Sequence, residues 1–490
     1  MASLPRTSLA LVVILSLVMA ACFFALLMQM PLWDWNSARV VLSVGWVHGY
    51  PLYSGLDDGP VQTTMYGPVK DLLLLPASLA SRPSYAIWIA GAITITSIAL
   101  PILLLIWCRG RGLESSAGST ERAVFASLFA LGGLLVAQST RDMTGNIHVD
   151  APAVGFALAS CVVLMSRSLS GRRLTVAAAL AALSVWTKQV QILLPLGQLV
   201  YLLWLHGATT AGRYVLRLAA WGFGMLGAFV ALFGWDGMWL NIIVLPRDHP
   251  KHIDPETLFF GALELAVGCS FGFLVLLLAI RANRTMAWRD RAWLLPALIA
   301  VTLLPTSLFA RLIAGGRHNS YHAIYFLLAT AALILARGDL FPTKPDRARW
   351  VVVAAAIGAV LWAPWRLDWR PVLAPLDNPQ EQAYEFAKAH PGQAYFPWQP
   401  LSTVLAEGRL DHFDFHVHAR HAAGHPLSDE HFRAYLPPDL RYVFIRPRAR
   451  DYSILGYLPE YRHMTTHPDM PGWDLFVKVE PDQVESDPED

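Results

Sequence analysis

Eleven stretches of the chain stay apolar long enough to cross, or nearly cross, a bilayer as helices: 8–30, 84–107, 122–138, 150–166, 174–186, 190–205, 214–234, 257–280, 292–312, 321–336 and 350–365. Between the first two lies a long polar interval, 31–83, whose middle reads VHGYPLYSGLDDGPVQTTMYGP and holds no apolar run. Beyond residue 365 the pattern changes. Strand-like pieces AYFPW, YVFIRP and LFVKVE alternate with helix-like ones such as PQEQAYEFAKAH, which predicts a small α/β domain. The final PDQVESDPED is acidic and reads as a disordered tail. The pattern therefore predicts a polytopic α-helical membrane protein with about 11 transmembrane helices and a small C-terminal α/β domain. Its parts are a transmembrane region over 1–366, which includes the outer loop 31–83 with juxtamembrane helices, an α/β domain over 367–480, and a tail over 481–490. No internal repeat is visible.

Composition agrees. Of 490 residues, 55% are hydrophobic and 15% charged, where a soluble domain carries about 25% charged residues. A net charge of +2 with no basic block gives no footprint for nucleic acid. The four cysteines, Cys22, Cys108, Cys161 and Cys269, all fall in or beside apolar stretches, which excludes a disulfide framework and any paired-cysteine metal site. Arg6 followed by a long apolar run resembles a signal peptide, and Met19-Ala20-Ala21-Cys22 approaches a lipoprotein cleavage box. The run continues to Met30, long enough to span, so it reads as an uncleaved first transmembrane helix.

The segment 174–205 admits one long helix or two short ones broken at Thr187, Lys188 and Gln189, and the choice inverts everything that follows. With two helices, loops on the N-terminal side hold seventeen Lys and Arg against nine opposite, the C-terminal region excluded. The positive-inside rule then favours two helices, a cytoplasmic N-terminus and an extracytoplasmic C-terminal domain. The cytoplasmic loops are short and Arg-rich, whereas polar and ionisable residues concentrate on the outer face, at 31–83, 139–149, 235–256 and 313–322.

Asp34 follows the first helix in MPLWDWNSARVV, between Trp33 and Trp35, residues that favour the membrane interface. A carboxylate at that depth is drawn towards its neutral form unless something pairs with it. It is either a solvated residue in an aromatic belt or a general base at the bilayer edge, able to deprotonate an acceptor while the other substrate stays in lipid.

The order of Asp34, the Gly49–Tyr53 segment GYPLY and Tyr66-Gly67-Pro68, ahead of DLLLLPASLA, resembles the first outer loop of the GT-C glycosyltransferases. The likeness is to the polyprenyl-phosphate-sugar mannosyltransferases and to the protein O-mannosyltransferase and aminoarabinose-transferase group. Tyr66-Gly67-Pro68 departs in its middle residue from the commoner Tyr-Pro-Pro. The resemblance implies an acidic catalytic base at Asp34 and a Tyr-containing element at Tyr66 closing the loop. It also implies an inverting transfer from a polyprenyl-phosphate-linked sugar to an extracytoplasmic glycan, lipid or protein.

Other outer-face residues are candidates for substrate. Asp57 and Asp58, beside Gly55 and Gly59, are either a second acidic pair or a solvated turn. Arg141, His148 and Asp150 stand at the mouth of the next helix; Asp150 is an acceptor contact or an acid favourable to the helix dipole. No cofactor is certain. The resemblance leaves room for a divalent metal, but one His and one Asp two residues apart fall short of a ligand set, so no metal residues are assigned. Lys188 in WTKQVQ would cost about 2.5–3.5 kcal/mol at a helix centre, so it must snorkel or face a polar cavity. In GT-C enzymes basic residues in this region hold the donor phosphate, which makes Lys188, Arg317 and Arg141 candidates. Arg317 and His318 lie in GGRHNSYH, a glycine loop whose exposed amides suit phosphate. The histidines of DHFDFHVHARHAAGHPLSDEH are read as surface or cleft residues that shape an acceptor groove, with a zinc site as the other possibility.

The expected function is a multi-pass glycosyltransferase of the cytoplasmic membrane, with its site and C-terminal domain extracytoplasmic. A transporter or flippase, needing polar residues at mid-membrane, and an O-antigen polymerase or ligase, needing a large Arg-rich central outer loop, are the alternatives.

Overall fold

The computed structural model describes residues 6–62, 64–110, 143, 145–166, 168–282, 291–336, 367–446, 454–464 and 467–479. The expected spans 122–138 and 350–365, Arg141 and the acidic tail lie outside them. Three described stretches, Pro83–Leu105, Gln189–Phe233 and Arg291–Leu312, are helical and apolar over a length sufficient to cross a membrane. The helices Arg6–Gln29, Asp150–Leu164, Gly171–Thr187, Pro255–Ala282 and His322–Ala336 match further expected spans.

The chain divides into two compact units. The first comprises residues 1–27, 92–228 and 251–369. Helices Asp150–Leu164 and Gly171–Thr187 pack through alanines, Ala153 and Ala157 on one and Ala177, Ala178 and Ala181 on the other, all fully buried. Such small side chains let backbones approach, and polar bonds then cross the gap: Ser184 Oγ donates to the Ala153 carbonyl and Ser160 Oγ to that of Ala177, each at 2.8 Å. At Gly155 a Cβ would stand 2.0 Å from the Ser97 carbonyl, so only glycine admits the helix Pro83–Gly110 there.

The break expected around Lys188 is present. Gly171–Thr187 ends, Lys188 is extended (φ −146°, ψ 119°), and a short 3-10 turn, Gln189–Leu193, leads into Leu194–Phe233. The expected helices 190–205 and 214–234 meet without a loop. They change direction at Gly207, whose φ of 81° glycine adopts without strain. The expected span 292–312 is two helices, Leu294–Thr302 and Leu304–Leu312. Pro305 in the second helix's first turn has no N–H to carry the ladder across the join.

The second unit comprises residues 28–91, 229–250 and 370–490. Its sheet has the order β1 (Ala394–Tyr395), β2 (Tyr442–Ile445), β4 (Asp474–Lys478), β3 (Tyr461–Met464). β1 runs parallel to β2, and the other pairs are antiparallel. The helix Pro379–Ala389, capped by Asn378 accepting from the Gln380 and Glu381 amides, sets Phe386 on Phe396 and Phe444. A second core gathers Val443, Ile445, Trp398, Phe413 and Phe432 with Ala38 and Val61 of the segment 31–83. The expected strand-like segments are β1, β2 and β4. β3, not expected, has three exposed residues in four and therefore no alternating pattern.

Candidate active site

Asp34 opens the helix Asp34–Val47. The Trp33 amide closes the 3-10 turn Met30–Leu32 on the Met30 carbonyl, Trp33 is extended, and Asp34 occupies the first helical turn, where the dipole favours an anion. Two donors from the C-terminal part of the same unit converge on its Oδ1, Gln399 Nε2 and Arg446 Nη1, each at 2.8 Å. The carboxylate is thus paired with a guanidinium and an amide, donors that favour its charged form. Next to it, Trp35 packs edge-on against Phe415, Phe413 and Trp398 at ring separations of 4.5, 5.5 and 5.7 Å, and the Arg39 guanidinium lies 5.6 Å from its ring.

The stretch 47–68 is shaped by contacts made after folding. Tyr53 is buried and donates to the Tyr66 carbonyl at 2.8 Å, so these two members of the motif close the loop on itself. Asp58 accepts from the Gly55 amide at 2.5 Å and makes a turn, while Asp57 is exposed. Arg420 donates to the Leu56 carbonyl. The Gly59 amide donates to Tyr435 Oη at 2.9 Å, His431 Nε2 stands 2.8 Å from the Gly59 carbonyl, and the Val61 amide donates to His412 Nδ1 at 2.8 Å. His412 and His431 therefore clasp the loop. Burial pushes the His412 imidazole down to about 3, which keeps it neutral and able to accept.

Lys70 and Asp71, not singled out in the sequence, form a buried ion pair at 2.7 Å where the chain returns to apolar sequence. Burial raises the Asp71 carboxyl against the pull of Lys70. An adjacent pair of opposite charges at that junction was a readable signal; the convergence of Gln399 and Arg446 on Asp34 was not.

In the first unit the structure brings together His148, Asp150 and Lys188 of the expected set. Lys188, buried, is bonded to Asp150 Oδ1 and donates to the Asn319 carbonyl at 3.5 Å. It faces a polar cluster and does not snorkel. His148 Nδ1 lies 2.6 Å and His322 Nδ1 3.6 Å from Asp150 Oδ2, and Asn319 Nδ2 lies 3.4 Å from His148 Nε2. His322 was not anticipated. His318 is half-buried with its ring 5.8 Å from that of His322, and Arg317 is exposed. Among the described residues no three His, Cys, Asp or Glu side chains gather as a metal site. Lys188 holds Oδ1 of Asp150, and the two imidazoles face Oδ2.

No protein-family model and no curated protein matches the chain. Solved structures do. ArnT from Cupriavidus metallidurans in the apo state covers 97% of this chain and 99% of its own, with a TM-score of 0.57 and 13% identity. The same protein bound to undecaprenyl phosphate covers 98% and 99%, with a TM-score of 0.54 and 13% identity. At this identity the likeness speaks for the architecture alone, and it does so end to end: the chain has a fold similar to that of ArnT, mostly helical with a small sheet towards the C-terminus.

Proposed function

We propose that this protein is a glycosyltransferase that moves a sugar from a polyprenyl-phosphate-linked donor to an extracytoplasmic acceptor, with Asp34 as general base. The observation that carries the reading is Asp34 itself, a partly exposed carboxylate directly after the first apolar helix. It is held by a guanidinium and an amide in a fold that ArnT also has, and ArnT has been crystallised with undecaprenyl phosphate.

In this reading the acceptor O–H or N–H gives its proton to Asp34 as its heteroatom bonds to the anomeric carbon. The bond from that carbon to the phosphate oxygen breaks, and its electron pair leaves with the polyprenyl phosphate. Attack opposite the leaving group inverts the anomeric centre. Arg317, exposed on its glycine loop, is assigned to the phosphate charge that grows during departure. Lys188 is assigned to the same loop, which it anchors through the Asn319 carbonyl while neutralising Asp150. Tyr66, Asp57 and Asp58 are assigned to the acceptor. A lipid-linked donor suits a site beyond the cytoplasmic membrane, where nucleotide sugars are not generally available. The transporter reading draws on ionisable groups at mid-helix, whereas the buried cluster here is built at helix ends: Asp150 begins a helix and Lys188 separates two.

The test uses purified protein in lipid nanodiscs, a panel of labelled undecaprenyl-phosphate hexoses, pentoses and amino sugars, and envelope extract as the acceptor source. Label should pass to the extract with inverted configuration, and Asp34→Asn should lose it by about 10²–10⁴-fold. Equal transfer by both proteins would remove Asp34 from the role; no transfer from any donor by folded protein would reject the activity.

A further inference from the structure

The ion pairs of the second unit differ in how they meet solvent. Lys70 and Asp71 are 6% and 2% exposed in their side chains, whereas Asp34 and Arg446 are 19% and 24% exposed. Ion pairs in contact with water add only modestly to stability; two donors converging on one oxygen of Asp34 also fix the direction in which that oxygen is held.

Both donors adjoin regular elements. Gln399 is fully buried, its amide donates to the Phe396 carbonyl at 3.0 Å, and it precedes the helix Pro400–Glu407. Two residues on, the Leu401 amide donates to Ser37 Oγ at 3.1 Å, so the turn grips the first turn of the Asp34 helix twice. Arg446 directly follows β2, whose last residue Ile445 is in register with Asp474 of β4. Sequence separations of 365 and 412 residues are thereby closed onto one carboxylate.

We propose that Arg446 and Gln399 are positioning residues for Asp34: they fix its carboxylate in one orientation and keep it anionic, which makes the C-terminal part of the chain a required component of the catalytic centre. This rests on the assignment of Asp34 as base. A base must stand within hydrogen-bond reach of the proton it takes, and a displacement of about 1 Å is enough to cost about 10²-fold in rate. Gln399 supplies direction and Arg446 direction and charge. Replacing Arg446 thus affects the chemical step and not the capture of lipid.

The experiment measures single-turnover transfer from the labelled undecaprenyl-phosphate-sugar panel, alongside binding of undecaprenyl phosphate itself, for wild type, Arg446→Gln, Arg446→Lys, Gln399→Ala, Asp34→Asn and the Asp34→Asn/Arg446→Gln double variant. Arg446→Gln should slow transfer by about 10- to 100-fold with undecaprenyl phosphate binding unchanged within about twofold. Arg446→Lys should recover most of the rate, and melting temperatures should stay within a few degrees. Arg446→Gln should add nothing to the loss caused by Asp34→Asn, since two residues acting through one group do not contribute independently. Wild-type rates in Arg446→Gln overturn the inference. So does weaker undecaprenyl phosphate binding at an unchanged rate, which would make Arg446 a ligand, and so does a loss that Arg446→Lys fails to rescue in protein of lowered melting temperature, which would make it structural. In all three cases Asp34→Asn remains inactive and the functional reading stands. An active Asp34→Asn, or a wild type inert with every donor, overturns that reading and this role together.

Discussion

Lys188 shows how a single residue constrains a membrane protein. Its charge interrupts an apolar region, and the fold answers by breaking the helix there and burying the ammonium against Asp150 with His148 and His322 alongside. Removing one partner of such a pair strands the other. Lys188→Ala should therefore destabilise the protein by about 3–5 kcal/mol, read as a loss of thermal stability in detergent, and Lys188→Met/Asp150→Asn should recover most of it. If Lys188→Ala melts as the wild type does, the pair is not closed in solution. A second residue-scale prediction concerns pH. Burial pushes the Asp414 carboxyl up to about 7, although Trp398 Nε1 donates to it at 3.0 Å. A carboxyl raised above its unfolded value stabilises the fold most at low pH and loses that contribution as pH climbs from about 4 to about 7. His412 and His416, both pushed down to about 3 by burial, act oppositely, losing stability as pH falls below about 6.5. The histidine contributions are common to both proteins, so the melting temperature of the wild type should fall relative to that of Asp414→Asn as pH rises from about 4 to about 7; a difference between the two that does not change with pH contradicts the assignment.

Among the elements, the loop 54–62 has no regular structure and no apolar run, yet its backbone is satisfied by Ser54, Arg420, Tyr435, His431 and His412. A loop held by side chains from elsewhere should loosen when those are removed. His412→Ala and Arg420→Ala should each speed hydrogen exchange at 55–62 by tenfold or more, about 1.4 kcal/mol of lost protection, while exchange in β2 and β4 holds steady. Equal exchange in wild type and variants would mean the clasp is not made. These elements also mark where the sequence was legible. The break at WTKQVQ followed from the distribution of Lys and Arg between the loops on either side, and β2 and β4 from short apolar runs. The clasp was hidden because histidine serves equally as ligand, surface residue or backbone partner, and only the fold decides. The helix end at Leu303 was missed because its cause, a single proline, sits inside an uninterrupted apolar run, and the interruption expected between 205 and 214 is a change of direction at Gly207 and not a loop.

For the whole molecule, the layout of apolar helices with a small α/β part was readable among the described residues, since hydrophobic length and alternation depend on local sequence alone. The correspondence with ArnT over 97% of the chain at 13% identity shows the same thing: the architecture tolerates nearly complete exchange of side chains. What the sequence concealed is that the segment 31–83 and the C-terminal part share a core through Ala38 and Val61, and that Asp34 is held from residues 399 and 446. Non-local convergence of this kind has no signature in spacing. The central claim is that this shared construction presents a base to a lipid-linked sugar. The most direct measurement is release of undecaprenyl phosphate from a labelled undecaprenyl-phosphate sugar in nanodiscs with envelope extract, compared between wild type and Asp34→Asn after both are shown to bind undecaprenyl phosphate equally. The account predicts rapid release by the wild type and a loss of at least about 10²-fold in the variant; release at the same rate from both would contradict it.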